Sequence, residues 1–147
     1  MKSISTTNRM NKTFIDTSAW LNFVLKKEPN HRRAKEIFRT LIKNGNSLFT
    51  SNDVVDETIT RLCYTEGLHL AKKVYALLRE NFQKKLVIQL WTDEKIQQDT
   101  FGLLEKFRDH KLSLTDATSI ILMNRFHIDN IFTFDSDFRK VGMPALP

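Results

Sequence analysis

The chain has 147 residues, with 23 Lys plus Arg against 17 Asp plus Glu, and its formal net charge is +6. This length suits one domain, and 41% hydrophobic with 27% charged residues is typical of a globular protein, not of a disordered or membrane-spanning one. The single cysteine, Cys63, excludes an internal disulfide and a zinc site built from several cysteines.

The first residues of the chain are polar and carry no apolar segment of the kind that a secretory signal requires. We therefore predict a cytoplasmic protein with no membrane-spanning segment. Residues 1–11 are expected to form a mobile extension. Residues 12–147 are expected to form a single domain, because no linker, repeat or low-complexity tract interrupts them.

Short apolar runs alternate with amphipathic segments along the chain. This alternation is typical of an α/β fold with a mostly parallel central sheet of about four to five strands between helices. In chain order, the pattern predicts a strand over 13–15, helices over 18–25 and 31–43, a strand over 47–50, a helix over 52–66, a helix around 70–78, a strand over 86–90, a helix around 96–107, a helix over 115–126 and a strand over 130–134.

Four acids are predicted to lie where strands end. Asp16 directly follows the first strand, and Asp135 follows the last. Glu57 lies in the second turn of the helix after the second strand, and Asp116 in the first turn of its own helix. Because the carboxyl ends of parallel strands share one edge of a sheet, these distant acids can meet in space.

Three of these positions also have a purely structural interpretation. Asp16 is a plausible N-cap, and Ser113 with Asp116 matches a capping box. Asp135 and Asp137 belong to a turn-like Phe-Asp-Ser-Asp segment in which Asp is common. The sequence alone leaves open which of the two is the fourth acid.

Glu57 has a structural interpretation of its own. Arg61 follows it by four residues, a favourable spacing for an ion pair on a helix. Helical periodicity also places Glu57 nearer the polar side of its helix. The case for a site therefore rests on all four acids reaching one edge together.

A cluster of carboxylates without His or Cys suits a hard cation such as Mg²⁺ or Mn²⁺. Such an ion can activate water and stabilise a phosphodiester during in-line displacement. With the four acids set aside, 17 − 4 = 13 acids remain against 23 Lys plus Arg. An acidic pocket within a basic surface is what a nuclease needs, since the surface attracts phosphates.

The chain resembles PIN domains, and among them the compact VapC-like toxins. The resemblance runs from about residue 12 to the end of the chain, with its motifs in the family's order. The matching segments are FIDTSAW (14–20), TSNDVVDETITRL (50–62), HKLSLTDATS (110–119) and IFTFDSDFRKVGMPAL (131–146).

The resemblance implies a PIN-like three-layer sandwich and a metal-dependent ribonuclease centre that leaves 5′-phosphate and 3′-hydroxyl ends. The implied catalytic acids are Asp16, Glu57, Asp116 and Asp135, and the implied ligands of Mg²⁺ or Mn²⁺ are Asp16, Asp116 and Asp135. The implied auxiliary residues are Thr133, Asp137, Thr17 and Ser18. The implied partners are single-stranded or structured loop RNA, an antitoxin protein and a second copy of the chain in a homodimer.

Two departures from the family pattern concern packing and access. Met123, Asn124 and Arg125 are bulky or polar where the family often has small residues, and Phe134 is large. Neither departure removes a carboxylate, so we expect an active enzyme.

Other functions remain open at this stage. They are a PIN ribonuclease of RNA processing or turnover without an antitoxin, and an RNA-binding module with weak catalysis or none. A phosphatase-type pair at Asp135 and Asp137 is disfavoured, because such a pair normally follows the first strand.

Overall fold

The structure is a computed structural model that describes residues 10–147. The predicted mobile extension therefore lies almost wholly outside the described residues. The described strands are β1 (Lys12–Ile15), β2 (Ser47–Ser51), β3 (Val87–Leu90), β4 (Asn130–Phe132) and β5 (Ala145–Leu146). The described helices are α1 (Thr17–Val24), α2 (His31–Lys43), α3 (Asn52–Glu66), α4 (Leu68–Gln83), α5 (Glu94–Lys106), α6 (Leu114–Arg125) and α7 (Asp137–Lys140).

The five strands form one sheet in the order β3-β2-β1-β4-β5, and every neighbouring pair is parallel. The predicted α/β class is thus confirmed. The central strand β1 is bracketed by β2 and by β4, which come from opposite halves of the chain. All five strands consequently end at one edge, where the chain leaves β1, β2 and β4 toward the predicted acids.

The carboxyl end of the chain differs from the sequence expectation. The strand predicted over 130–134 ends at Phe132, because the chain bends at Phe134, directly after Thr133. Strand β5 was not predicted, since two residues are too few to show a periodic pattern. Its pairing is nevertheless regular: the Thr133 amide donates to the Leu146 carbonyl at 2.9 Å.

The core fills both faces of the sheet with apolar side chains. Phe14, Ile15 and Phe132 are fully buried, as expected for a parallel sheet covered on two sides. On one face, Phe38 packs on Trp20 and on Phe132, with ring centroids 5.3 and 5.0 Å apart. In residues 10–147 we find no helix of the length and apolarity that crossing a membrane requires.

Candidate active site

The four predicted acids line one cavity of about 310 Å³ at the carboxyl edge of the sheet. They lie directly after β1, in α3, in the first turn of α6 and in the segment after β4, so only the folded chain brings them together. Its walls are Asp16, Thr17, Ser18, Glu57, Arg61, Ser113, Asp116 and Asp135. In the part of the chain that the structure describes, four carboxylates, three hydroxyls and one guanidinium therefore share the cavity.

Asp16 is the most buried of the acids, with 4% of its surface exposed. It stands at the N-cap position of α1, but its side chain makes no capping hydrogen bond. Its Oδ2 instead accepts hydrogen bonds from the hydroxyls of Thr133 (2.8 Å) and Ser18 (3.2 Å). The capping interpretation is thus not realised, and the carboxylate is fixed at the cavity from across the sheet.

Burial raises the pKa of Asp16 to about 7. The hydrogen bond from Thr133 opposes this change, while the charges of Asp116 and Glu57 add to it. A buried carboxyl group among other acids favours its protonated form unless a cation compensates the charge. A cation bound in the cavity would therefore stabilise the ionised form of Asp16.

Asp116 both caps α6 and lines the acidic cavity. It completes the capping box of α6: its amide donates to the Ser113 hydroxyl, and its Oδ2 accepts from the Ser113 amide, both at 3.0 Å. Burial raises the pKa of Asp116, and the charges of Asp135 and Glu57 raise it further. The capping bonds use one carboxylate oxygen, Oδ2.

Glu57 is half-buried at the cavity wall, although periodicity places it toward the polar side of α3. Its Oε1 lies 3.0 Å from Nη2 of Arg61, so the ion pair expected from the spacing is present. Arg61 and Ser113 themselves line the cavity, and sequence reasoning assigned neither to the site. Both could have been found from their spacing to a predicted acid. Arg61 follows Glu57 by four residues, and Ser113 is the capping residue three positions before Asp116.

The structure separates Asp135 from Asp137. Asp135 lines the cavity, and its amide donates to the Thr133 hydroxyl at 3.0 Å. Asp137 begins α7, pairs with Lys140 at 3.3 Å and is not among the cavity residues. The geometry thus favours Asp135 as the fourth acid.

The departures from the family pattern lie outside the cavity. Met123 is buried in the core, and Arg125 reaches outward to Asp99 at 3.1 Å. Phe134 packs edge-on against Phe132, with ring centroids 5.6 Å apart. None of these side chains lines the acidic cavity.

A second, larger cavity of about 780 Å³ is mainly apolar and lies between α1, α2, α4 and the β3 side of the sheet. Trp20, Phe23 and Phe38 line its floor, with the exposed side chains of Ile42 and Leu77 at its border. Among the residues that the structure describes, the charged side chains that line it are all cationic: Lys35, Arg39 and Lys85.

The fold and the acidic cavity define the class of protein: a parallel α/β domain with an acid cluster at the carboxyl edge of its sheet. Residues 13–143 match the PIN domain family. The chain belongs to the PIN domain family, and it is VapC-like.

Known relatives agree with this assignment. The chain is 29% identical over 129 residues to the "23S rRNA-specific endonuclease VapC20" of Mycobacterium tuberculosis, covering 88% of this chain and 93% of the relative. The crystal structure of Mycobacterium tuberculosis VapC20, described as a sarcin-ricin loop cleaving toxin, superposes with a TM-score of 0.79 at 25% identity, covering 89% of this chain and 95% of that one.

A more distant structure shares the fold. VapBC2 from Rickettsia felis, bound to a DNA fragment from its promoter, superposes with a TM-score of 0.68 at 11% identity, covering 92% of this chain and 97% of that one.

Proposed function

We infer that this chain is an endoribonuclease and the toxin of a VapBC-like, type II toxin–antitoxin pair. The observation that carries the inference is the convergence of Asp16, Glu57, Asp116 and Asp135 on one cavity in a PIN domain. The similarity to an rRNA-specific endonuclease along nearly the whole chain supports RNA as the substrate. Because the solved relative is a sarcin-ricin loop cleaving toxin, a structured or single-stranded RNA loop is the favoured substrate.

The donor set of the cavity fits a divalent cation such as Mg²⁺ or Mn²⁺. Carboxylate and hydroxyl oxygens are the ligands that these ions prefer. The Thr17 hydroxyl lines the cavity, is buried and has no hydrogen-bond partner among the described residues, so it is available to a bound water. Such an ion supplies a water of lowered pKa and stabilises negative charge on the phosphate.

Within residues 10–147, no three His, Cys, Asp or Glu side chains are arranged to hold an ion together. Mg²⁺ usually keeps several waters and takes only one or two carboxylates directly. Asp16, Asp116 and Asp135 are the proposed ligands, directly or through water.

The side chains of the cavity and the basic surface around it have different proposed roles. Asp16 is held in place by Thr133 and Ser18, so its position costs little reorganisation when substrate binds. Glu57 is proposed to orient the attacking water and to accept its proton. The basic surface attracts the RNA, while the acids stay confined to the cavity.

The direct test is incubation of purified protein with total RNA and with an RNA stem-loop, in Mg²⁺ or Mn²⁺ and in EDTA. We expect discrete fragments with 5′-phosphate and 3′-hydroxyl ends, formed only when the ion is present. A folded, ion-supplied protein that binds RNA without cleaving it would contradict the enzyme and favour an RNA-binding module.

The two acids near the carboxyl end of the chain provide a matched comparison. Asp135→Asn is expected to lower the cleavage rate by about 10²-fold or more, because it removes a carboxylate from the cavity. Asp137→Asn is expected to change the rate less than about threefold, since Asp137 pairs with Lys140 instead. Initial rates on one stem-loop RNA measure both, and equal losses would contradict the assignment of Asp135.

The antitoxin is proposed to occupy the apolar cavity with an amphipathic helix. A groove between the helices of residues 18–43 suits such a partner, and the cavity adds α4 and the β3 side of the sheet to it. Because Lys35, Arg39 and Lys85 are its charged lining residues, the docking helix should carry acidic side chains beside its apolar face.

Leu77→Glu should weaken binding of the cognate antitoxin by at least about tenfold, because it places a charge in the apolar contact. Leu68→Glu is the matched control, since Leu68 is also exposed on α4 but does not line the cavity. RNA cleavage without antitoxin should be unchanged in both variants. Calorimetric titration measures the affinities, and equal values for the two variants would exclude this docking site.

We further propose a cytoplasmic homodimer, as the family resemblance implies. Light scattering of the purified protein tests the oligomeric state, and fractionation of cells tests the location. A monomer at micromolar concentration would contradict the first proposal, and a membrane-bound or exported protein the second.

A further inference from the structure

We propose that Arg61 is an RNA-phosphate ligand at the mouth of the acidic cavity, and that its ion pair with Glu57 is the resting state of this ligand. The proposal rests on the proposed ribonuclease function and adds a substrate-binding residue to it. Within residues 10–147, eight side chains line the cavity, and Arg61 is the one cation among them.

The placement of Arg61 follows from the geometry of α3. One helical turn separates it from Glu57, so its guanidinium lies over the carboxylate with Nη2 3.0 Å from Oε1. The side chain of Arg61 remains 57% exposed, whereas that of Glu57 is 26% exposed. The ion pair therefore points its cationic end outward, toward the solvent from which RNA arrives.

The chemistry of the guanidinium favours a second partner. Arginine carries five N–H donors in a planar fork that matches the oxygens of a phosphate. The pair with Glu57 engages Nη2, which leaves other donors for an incoming group. A phosphodiester that approaches four carboxylates meets repulsion, and a cation at the mouth offsets part of it before any ion in the cavity is reached.

The alternative is that this pair only stabilises the helix. Exposed Glu–Lys and Glu–Arg pairs at this spacing do so weakly wherever they occur, and Glu80 with Lys84 on α4 is such a pair outside the cavity. The two interpretations differ in one observable, because only a phosphate ligand changes the affinity for RNA and its dependence on salt.

The test measures binding of a fluorescently labelled single-stranded RNA to Asp16→Asn protein in EDTA, where no cleavage is expected. Adding Arg61→Gln should weaken binding about tenfold and reduce the slope of log affinity against log salt by about 0.7. Arg61→Lys should recover part of the affinity, because it keeps the charge without the fork. Arg32→Gln is the control, since Arg32 is exposed and pairs with Glu36 on α2.

A further comparison separates a contact with RNA from an effect through Glu57. Arg61→Gln should cause the same loss of affinity when Glu57→Gln is already present. If the loss disappears in that background, or if Arg61→Gln equals Arg32→Gln, Arg61 is not a phosphate ligand. Either result leaves the ribonuclease function standing, provided that wild-type protein still cleaves RNA. Wild-type protein that neither binds nor cleaves RNA would overturn the proposed function and this inference with it.

Discussion

Asp16→Asn is expected to lower the rate of RNA cleavage by about a thousandfold or more while the protein stays folded. Asp16 is the acid that the fold holds most firmly, at the end of the central strand and under two hydroxyl donors. Asparagine keeps the shape and one acceptor for Thr133, but it removes the negative charge that a divalent ion requires. The loss therefore concerns the chemistry of the site and not its packing.

Single-turnover rates on one RNA, with and without Mg²⁺, measure this effect. Asp99→Asn is a suitable control, because Asp99 is half-exposed and pairs with Arg125 away from the cavity. The control should cleave at the wild-type rate. Cleavage by the Asp16 variant within tenfold of wild type would refute the proposed role of Asp16.

The same substitution is expected to stabilise the ion-free protein at pH 8 by on the order of 2–4 kcal/mol. Burial raises the pKa of Asp16 to about 7 in the folded chain, above its ordinary value of 3.8. Between about pH 4 and pH 7 the folded state therefore keeps a proton on Asp16 that the unfolded chain has released, and at pH 8 it instead buries a charged carboxylate. This contribution to stability is full below about pH 4, falls as the pH rises toward 7, and is lost above it.

Urea unfolding in EDTA between pH 4 and pH 8 tests this expectation. Wild-type protein should lose stability as the pH rises, and the Asp16 variant should lose less. A smaller slope should remain in the variant, because the pKa of Asp116 is also raised. Added Mg²⁺ should stabilise wild-type protein at pH 8 more than the variant. If the Asp16 variant were less stable than wild type at pH 8, the folded wild-type protein would not be destabilised by a buried, unpaired charge on Asp16.

The predictable part of the fold is the part that local sequence controls. The helix over 31–43 and the helix over 52–66 coincide with α2 and α3, because their apolar residues recur at helical spacing and Gly67 ends the second. Strand β5 and the true end of β4 depend on pairing between distant segments, such as the bond from Thr133 to Leu146. The sequence of a short segment does not show which distant segment it will pair with.

The candidate site shows the same division. Strand ends could be located approximately, so Asp16 and Asp135 were placed at the correct edge of the sheet. Glu57 could not be placed from periodicity, since its cavity is formed by neighbouring elements and not by the apolar face of α3. The choice between Asp135 and Asp137 required the fold, because the two acids are only two positions apart in the sequence and only Asp135 lines the cavity.

The hydrogen bond from Thr133 to Asp16 joins residues 117 positions apart. A nascent chain that contains β1, β2 and β3 therefore still lacks Asp135 and the strand that presents it. Its cavity is incomplete until β4 has left the ribosome and paired with β1. A ribonuclease built in this way is expected to become active only near the end of its own translation. For the same reason, two separately expressed halves divided in the loop before α6 should each be inert, and activity should depend on their reassembly.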